Sequence, residues 1–134
     1  MFDEALRMED IHLAYRDLVG AMFSKPRILG YFRGIEMDPQ KELFSNVNLS
    51  VKRGETICIG GPSGQGKSAL LRVIAGLTRP TRGNIYYFGE YIPPEKLTAL
   101  EVAKRQVGMV FQNGALISNL RVRDNIALPL RYHK

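Results

Sequence analysis

The run GPSGQGKS at residues 61–68 constrains this chain more than any other feature, because it fits the pattern G-x-x-x-x-G-K-[ST] in full. It stands between ETICIG, residues 55–60, which reads as a buried strand, and KSALLRVIAGL, residues 67–77. The latter places Leu70, Leu71, Ile74 and Leu77 at helical spacing and carries Gly76 as a stop signal. Strand, glycine loop and helix in that order make a cradle for phosphate. Gly61, Gly64 and Gly66 allow torsions closed to other residues and leave room for an anion against the main chain. Their amides, with the open N–H groups at the helix start and the helix dipole, favour negative charge there. Lys67 is expected to reach the β and γ phosphates of a nucleotide, and Ser68 to supply a hydroxyl ligand to Mg²⁺. Pro62, Ser63, Gln65 and Ala69 complete the expected nucleotide-binding run. The competing reading is a glycine-rich turn with an incidental lysine.

Around this unit the chain has globular composition, with 45% hydrophobic and 24% charged residues in 134, about one domain's length. Its apolar stretches fall far short of the ~20 residues that span a bilayer. The acidic start MFDEALRMED does not resemble a secretory signal, so export is not expected. Cys58 is the single cysteine, which leaves neither a disulfide framework nor a zinc site, and a reducing cytosol is the simplest setting. The net charge of +6 is uneven: after Glu101, Lys104, Arg105, Arg121, Arg123, Arg131 and Lys134 face only Asp124. Either this is a solvated face with acidic partners elsewhere, or it meets lipid headgroups, an acidic protein or nucleic acid. No aromatic-rich basic stripe or nucleic-acid motif supports the last of these.

The remaining elements follow from pattern. A first strand is expected at Glu9 to Tyr15, then an irregular stretch from Arg16 to Lys41. That stretch reads either as an insertion packed on the domain or as an amphipathic piece lying on a membrane or partner. In NVNLSV, Val47, Leu49 and Val51 alternate with Asn48 and Ser50, as in a strand with one wet face, and a turn follows at Lys52 to Gly54. NIYYFG reads as a strand turning at Gly89 and Glu90 into YI, and residues Pro94 to Arg105 as a short helix. QVGMVF, residues 106–111, is expected to be a strand delivering Gln112. The segment from Val122 is helical until Pro129, which should kink or end it.

LSVKRGETICIGGPSGQGKSALLRVIAGLTRPTRGNIYYFGEYI resembles the first half of an ABC-type ATPase, and VGMVFQNGALISNLRVRDNIALPL resembles that family's Q-loop and the segment after it. Within the family, FQNGALISNLRVRDNIALPLR is most similar to the ATPase subunits of Mla-type and Mce-type lipid transporters. The resemblance covers most of the chain from Phe44 onward. It implies an α/β P-loop NTPase fold, a RecA-like core with the antiparallel β subdomain of ABC ATPases, incomplete in this chain. It also implies ATP and Mg²⁺ as ligands, a second ATPase subunit in a homodimer, and transmembrane permease partners on the cytoplasmic face of the inner membrane. By the same resemblance Gln112 is the Q-loop glutamine, reaching Mg²⁺ and the attacking water, which an amide's acceptor and donor permit. A plain turn glutamine is the alternative. Tyr15 resembles the aromatic that stacks on adenine, with Tyr31 or Phe32 as substitutes because the stretch 16–41 departs from the compact family pattern. Gln65 and Ala69 are smaller departures, at positions whose side chains the mechanism does not require. A soluble ABC-type ATPase acting on nucleic acid or ribosomes, and a nucleotide-binding regulator without turnover, are the competing functions.

Hydrolysis in this family also uses an apolar strand ending in an aspartate and a glutamate, an LSGGQ segment and a switch histidine. No apolar run after Ser68 ends in an acidic pair, SGQG at 63–66 belongs to the phosphate loop, and neither His12 nor His133 stands at the switch position. The chain therefore reads as the N-terminal part of a nucleotide-binding domain. A sheet lacking its central parallel neighbour exposes hydrogen-bonding edges and apolar surface. The 134-residue chain alone is accordingly expected to be poorly stable and to hydrolyse no ATP. A cooperative melt together with magnesium-dependent ATPase activity contradicts this.

Overall fold

The computed structural model describes residues 3–22, 41–103, 105, 107–112, 114 and 116–132. Four strands form one antiparallel sheet in the order β2-β1-β3-β4: β1 Glu4–Ala14, β2 Glu42–Lys52, β3 Arg82–Tyr87 and β4 Glu90–Ile92. The helices are α1 Tyr15–Met22, α2 Lys67–Ile74, α3 Ala99–Ala103 and α4 Val122–Tyr132, with a 3-10 turn at Pro94–Lys96.

The sheet has a dry and a wet face because of its register. Leu49, Met8, Ile85 and Ile92 stand opposite one another across all four strands, and of these Met8, Ile85 and Ile92 are buried. One residue along, Ser50, Arg7, Tyr86 and Tyr91 form the solvent-side row. There the Arg7 guanidinium lies 4.3 Å from the centre of the Tyr86 ring. The dry face receives Ala69 and Val73 of α2, with Leu97 and Val102 from the segment after β4. Each large side chain fully buried here contributes about 1.5–3 kcal/mol relative to exposure.

One irregularity organises β1. Asp10 has φ 50 and the register shifts between Met8 and Ile11, so the inward set changes from Leu6 and Met8 to Ile11 and Leu13. Gly83 on β3 stands against this bulge. A Cβ there would come 2.5 Å from the Asp10 carbonyl oxygen, so only glycine lets the two strands approach.

The end of α2 is tied down twice. Leu77 N–H donates to Arg72 O at 2.9 Å around the left-handed Gly76, φ 68. The buried Tyr87 hydroxyl donates to Ile74 O at 2.6 Å, and burial holds its ionisation well above the ordinary phenol range.

Several expectations are corrected. The first strand begins at Glu4, not Glu9. Tyr15 and the start of the supposed irregular stretch form α1, whose Asp17 suits the first turn of a helix and whose Leu18 packs on the core. Residues 55–62 and 107–111 belong to no strand. No described strand lies beside either, and Ile57 is 39% and Val110 96% exposed, so the ladder bonds that define a strand are missing. The expected helix at 94–105 is split into the 3-10 turn and α3. Pro129 does not end α4, which runs to Tyr132. The wet-faced strand, the β3–β4 hairpin and α2 lie where the pattern places them. Residues 23–40, with Tyr31 and Phe32, lie outside the described residues, as do Lys104 and His133.

Behind the bulge His12 is enclosed by charge. Its Nδ1–H donates to Glu42 Oε1 at 2.8 Å, and Nε2 lies 2.9 Å from Asp10 Oδ1 and 2.7 Å from Arg82 Nη2. Protonated, Nε2 donates to Asp10; neutral, it can accept from Arg82. The Asp10 hydrogen bond, then that of Glu42, raises the imidazole above its ordinary value of 6.5, while burial and the Arg82 charge oppose the shift. A raised folded value means stability that is complete below 6.5 and is lost as pH rises through the raised value. The urea midpoint of the protein is therefore expected to fall as pH is taken from 6.5 upward, and His12→Gln to remove that slope. An unchanged slope in the variant contradicts the role given to His12.

Candidate phosphate-binding site

The glycine loop leaves the sheet layer at residue 55 and returns at α2, so its geometry depends on how the helix begins. Gly61, Gly64 and Gly66 have φ 143, 83 and 85, all closed to side-chain-bearing residues without strain. Gly66 is the N-cap of α2 and has no side chain to cap with. Its carbonyl accepts the Leu70 N–H at 2.8 Å, the first bond of the helix. The N–H groups of Lys67, Ser68 and Ala69 precede that bond and have no partner within the helix. No acidic residue occupies the first turn to compete for them.

Lys67 bends back over the loop. Its Nζ donates to the carbonyl oxygens of Gly61 at 2.7 Å and Pro62 at 2.6 Å, which leaves one of three ammonium donors directed elsewhere. The positive charge is thus fixed across the loop by the loop's own backbone. Gln65 folds inward as well, its Oε1 standing 2.8 Å from where a Cβ on Gly61 would lie. Ser68 is exposed one residue beyond Lys67. Ala69 points the other way, into the core at 5% exposure, so only its backbone can serve an anion. Pro62 and Ser63 are exposed on the loop. The open N–H groups of the helix start and the tethered ammonium belong to one loop, a combination suited to an anion.

The other expected site residues stand apart from this loop in the described contacts. Gln112 is exposed in a turn closed by the Gly114 N–H to Phe111 O bond of 3.0 Å, with Gly114 at φ 71. Tyr15 opens α1, half-buried, its backbone N–H donating to Lys41 O at 3.1 Å. Among the described residues no cluster of three His, Cys, Asp or Glu could hold a metal by itself. Of the expected ligands, Ser68 carries a hydroxyl oxygen and Gln112 an amide oxygen, the donor type that Mg²⁺ takes alongside water and phosphate oxygens. An open cavity of about 800 Å³ lies elsewhere, between Arg16 and Asp17 on α1 and Arg79, Thr81 and Leu97.

One residue escaped the sequence reading. Asn125 Oδ1 accepts the Ile117 N–H at 2.8 Å, and its Nδ2 donates to Ile117 O, Leu120 O and Arg121 O at 3.1, 3.2 and 3.3 Å. It fastens the loop after Gln112 to α4. An Asn in the first turn of an expected helix is the only signal that pointed there. That loop and helix expose Leu116, Ile117, Val122 and Ile126 beside the exposed Arg121 and Arg123. Arg105 does not belong to this basic surface, because it pairs with Glu90 at 2.8 Å and Glu101 at 3.4 Å.

Comparison with known proteins places this arrangement. The family described as ABC transporter matches residues 44–134. The intermembrane phospholipid transport system ATP-binding protein MlaF of Escherichia coli (strain K12) is 44% identical over 91 residues, 68% of this chain and 34% of that protein. The methionine import ATP-binding protein MetN 1 of Burkholderia orbicola (strain AU 1054) is 47% identical over 89 residues, 66% of this chain and 26% of that one. Among solved structures, the dimeric bacterial ABC transporter cassette MJ0796 superposes with a TM-score of 0.68 at 30% identity, covering 96% of this chain and 48% of its own. The chain thus spans about a third of the MlaF length and about half of the cassette. Its P-loop sequence, its antiparallel hairpin and the family match over more than half its length agree, and the chain belongs to the ABC transporter family of P-loop ATP-binding cassettes.

Proposed function

We propose that the full-length protein containing this chain is the ATP-binding subunit of a transporter, coupling ATP binding and hydrolysis to movement of a lipid substrate across or between membranes. The observation that carries the nucleotide site is the Lys67 ammonium tethered at 2.7 and 2.6 Å across a loop whose Gly61, Gly64 and Gly66 all have positive φ. The lipid class is supported by the 44% identity to a phospholipid transport ATPase, while the 47% identity to a methionine import ATPase measures how much of this segment is common to ATPases with other cargo.

Each residue has a separable task. The amides of the loop and of the α2 start hold the β-phosphate, and Lys67 exchanges its backbone carbonyl partners for β and γ oxygens when nucleotide enters. Ser68 and Gln112 are the residues that would hold Mg²⁺, which supplies neutralising charge to the phosphate oxygens. Gln112 orients the attacking water by its amide, and the displaced bond is that between the γ-phosphorus and the bridging oxygen. Tyr15 faces the base. The exposed apolar loop after Gln112 offers a surface for a permease, and a second copy of the subunit completes the sandwich, a reading supported by the dimeric state of the MJ0796 cassette. Such a subunit sits peripherally on the cytoplasmic face of the inner membrane. No helix among the described residues is long and apolar enough to cross it.

Charge-assisted hydrogen bonds contribute about 1.5–3 kcal/mol each, and Lys67 supplies more than one. Lys67→Ala in the full-length protein is expected to abolish ATP turnover, measured as phosphate release, and removal of Mg²⁺ with EDTA to do the same in the wild type. Wild-type turnover in the variant overturns the role of Lys67.

A further inference from the structure

Of the loop glycines, Gly66 is the one braced by side chains from another element. A Cβ at Gly66 would lie 2.9 Å from Phe44 Cδ1, and 3.1 and 3.4 Å from Leu43 Cγ and Cδ2. At Gly64 nothing comes within 4 Å, and at Gly61 the near neighbour is Gln65 of the loop itself. We propose that Leu43 and Phe44, near the start of β2, are positioning residues for the phosphate loop, holding Gly66 in the left-handed turn that opens the α2 amides to an anion. The proposal rests on reading that loop as a phosphate site.

The brace is anchored at both ends. Leu43 and Phe44 are half-buried against the core, and Phe44 stands opposite Leu13 of β1. The register shifts between the Leu13–Phe44 and Ala14–Glu42 pairs, which leaves Leu43 as the extra residue of a bulge, so two successive apolar side chains reach the same glycine. Just before them, Lys41 O accepts the Tyr15 N–H at 3.1 Å and Glu42 accepts from His12 Nδ1 at 2.8 Å. The start of β2 is therefore fixed to the end of β1, and through Phe44 and Leu43 the sheet fixes φ 85 at Gly66. A glycine is free to take many torsions, and an unbraced one would spread the amides of Lys67 and Ser68 over several orientations. Pre-organisation of that kind is lost as affinity.

The test uses the full-length protein and inorganic tripolyphosphate with Mg²⁺, a probe with phosphate and no nucleoside, titrated by calorimetry. Phe44→Ala is expected to weaken tripolyphosphate binding about tenfold through lost pre-organisation, which is about 1.4 kcal/mol, and Phe44→Leu to restore most of it. Leu43→Val, which should fold if Phe44→Ala does not, is expected to weaken binding about threefold on the same ground. Leu97→Ala is the control: Leu97 is buried at 1% exposure in the same core and is not among the contacts at Gly66. It is expected to lower the melting temperature while binding tripolyphosphate like wild type. Three results overturn the inference: unchanged tripolyphosphate affinity in both β2 variants, weakened ATP binding with unchanged tripolyphosphate binding, or equal loss in Leu97→Ala. Wild-type protein that binds no tripolyphosphate overturns the phosphate-site reading itself, and the inference with it.

Discussion

The first turn of α2 has three N–H groups without helical partners, and the structure around it keeps them available to an anion. Gly66 at the cap carries no side chain, the first turn carries no acid, and Lys67 folds back onto Gly61 and Pro62. An Asp or Ser at a helix cap satisfies a donor and gains roughly a few tenths of a kcal/mol over glycine, but a side chain at Gly66 would meet Phe44 and Leu43. The protein forgoes that stability, and the open donors are what the proposed phosphate site presents to charge.

Such a turn has to be held by something other than its own bonds. The sheet does this through β2, and β2 can do so because the bulge at Asp10 lets β1 present Met8 and Ile11, which are three residues apart, to the same core. The bulge in turn needs Gly83, and it gathers His12, Glu42 and Arg82 at the end of the strand where β2 begins. Local backbone exceptions at Asp10, Leu43 and Gly66 are thus steps of one path from the sheet to the proposed phosphate loop.

Much of this was legible from local pattern. The loop, α2 and its Gly76 stop, the one-sided alternation of β2 and the β3–β4 hairpin are specified by residues within a few positions of one another. The full length of β1 was hidden because EALRMEDIHLA has its apolar residues at 6 and 8 and then at 11 and 13, a change of parity that reads as an interruption and is in fact a bulge. ETICIG and QVGMVF have strand composition, yet a strand exists only beside another, and that requirement is not written in either segment. Asn125 reads in sequence as one more polar residue of an expected helix; its four bonds to the preceding loop depend on where that loop folds. The brace of Leu43 and Phe44 on Gly66 joins positions more than twenty residues apart, beyond the reach of any periodicity.

The central claim is that backbone amides at the loop and the start of α2 hold phosphate. Hydrogen exchange of the full-length protein, with and without ATP and Mg²⁺, measures it at those amides. Slower exchange in ATP at Gly64 through Ser68 is the predicted result. Exchange unchanged across that run, with ATP bound and protection confined to other segments, would contradict it.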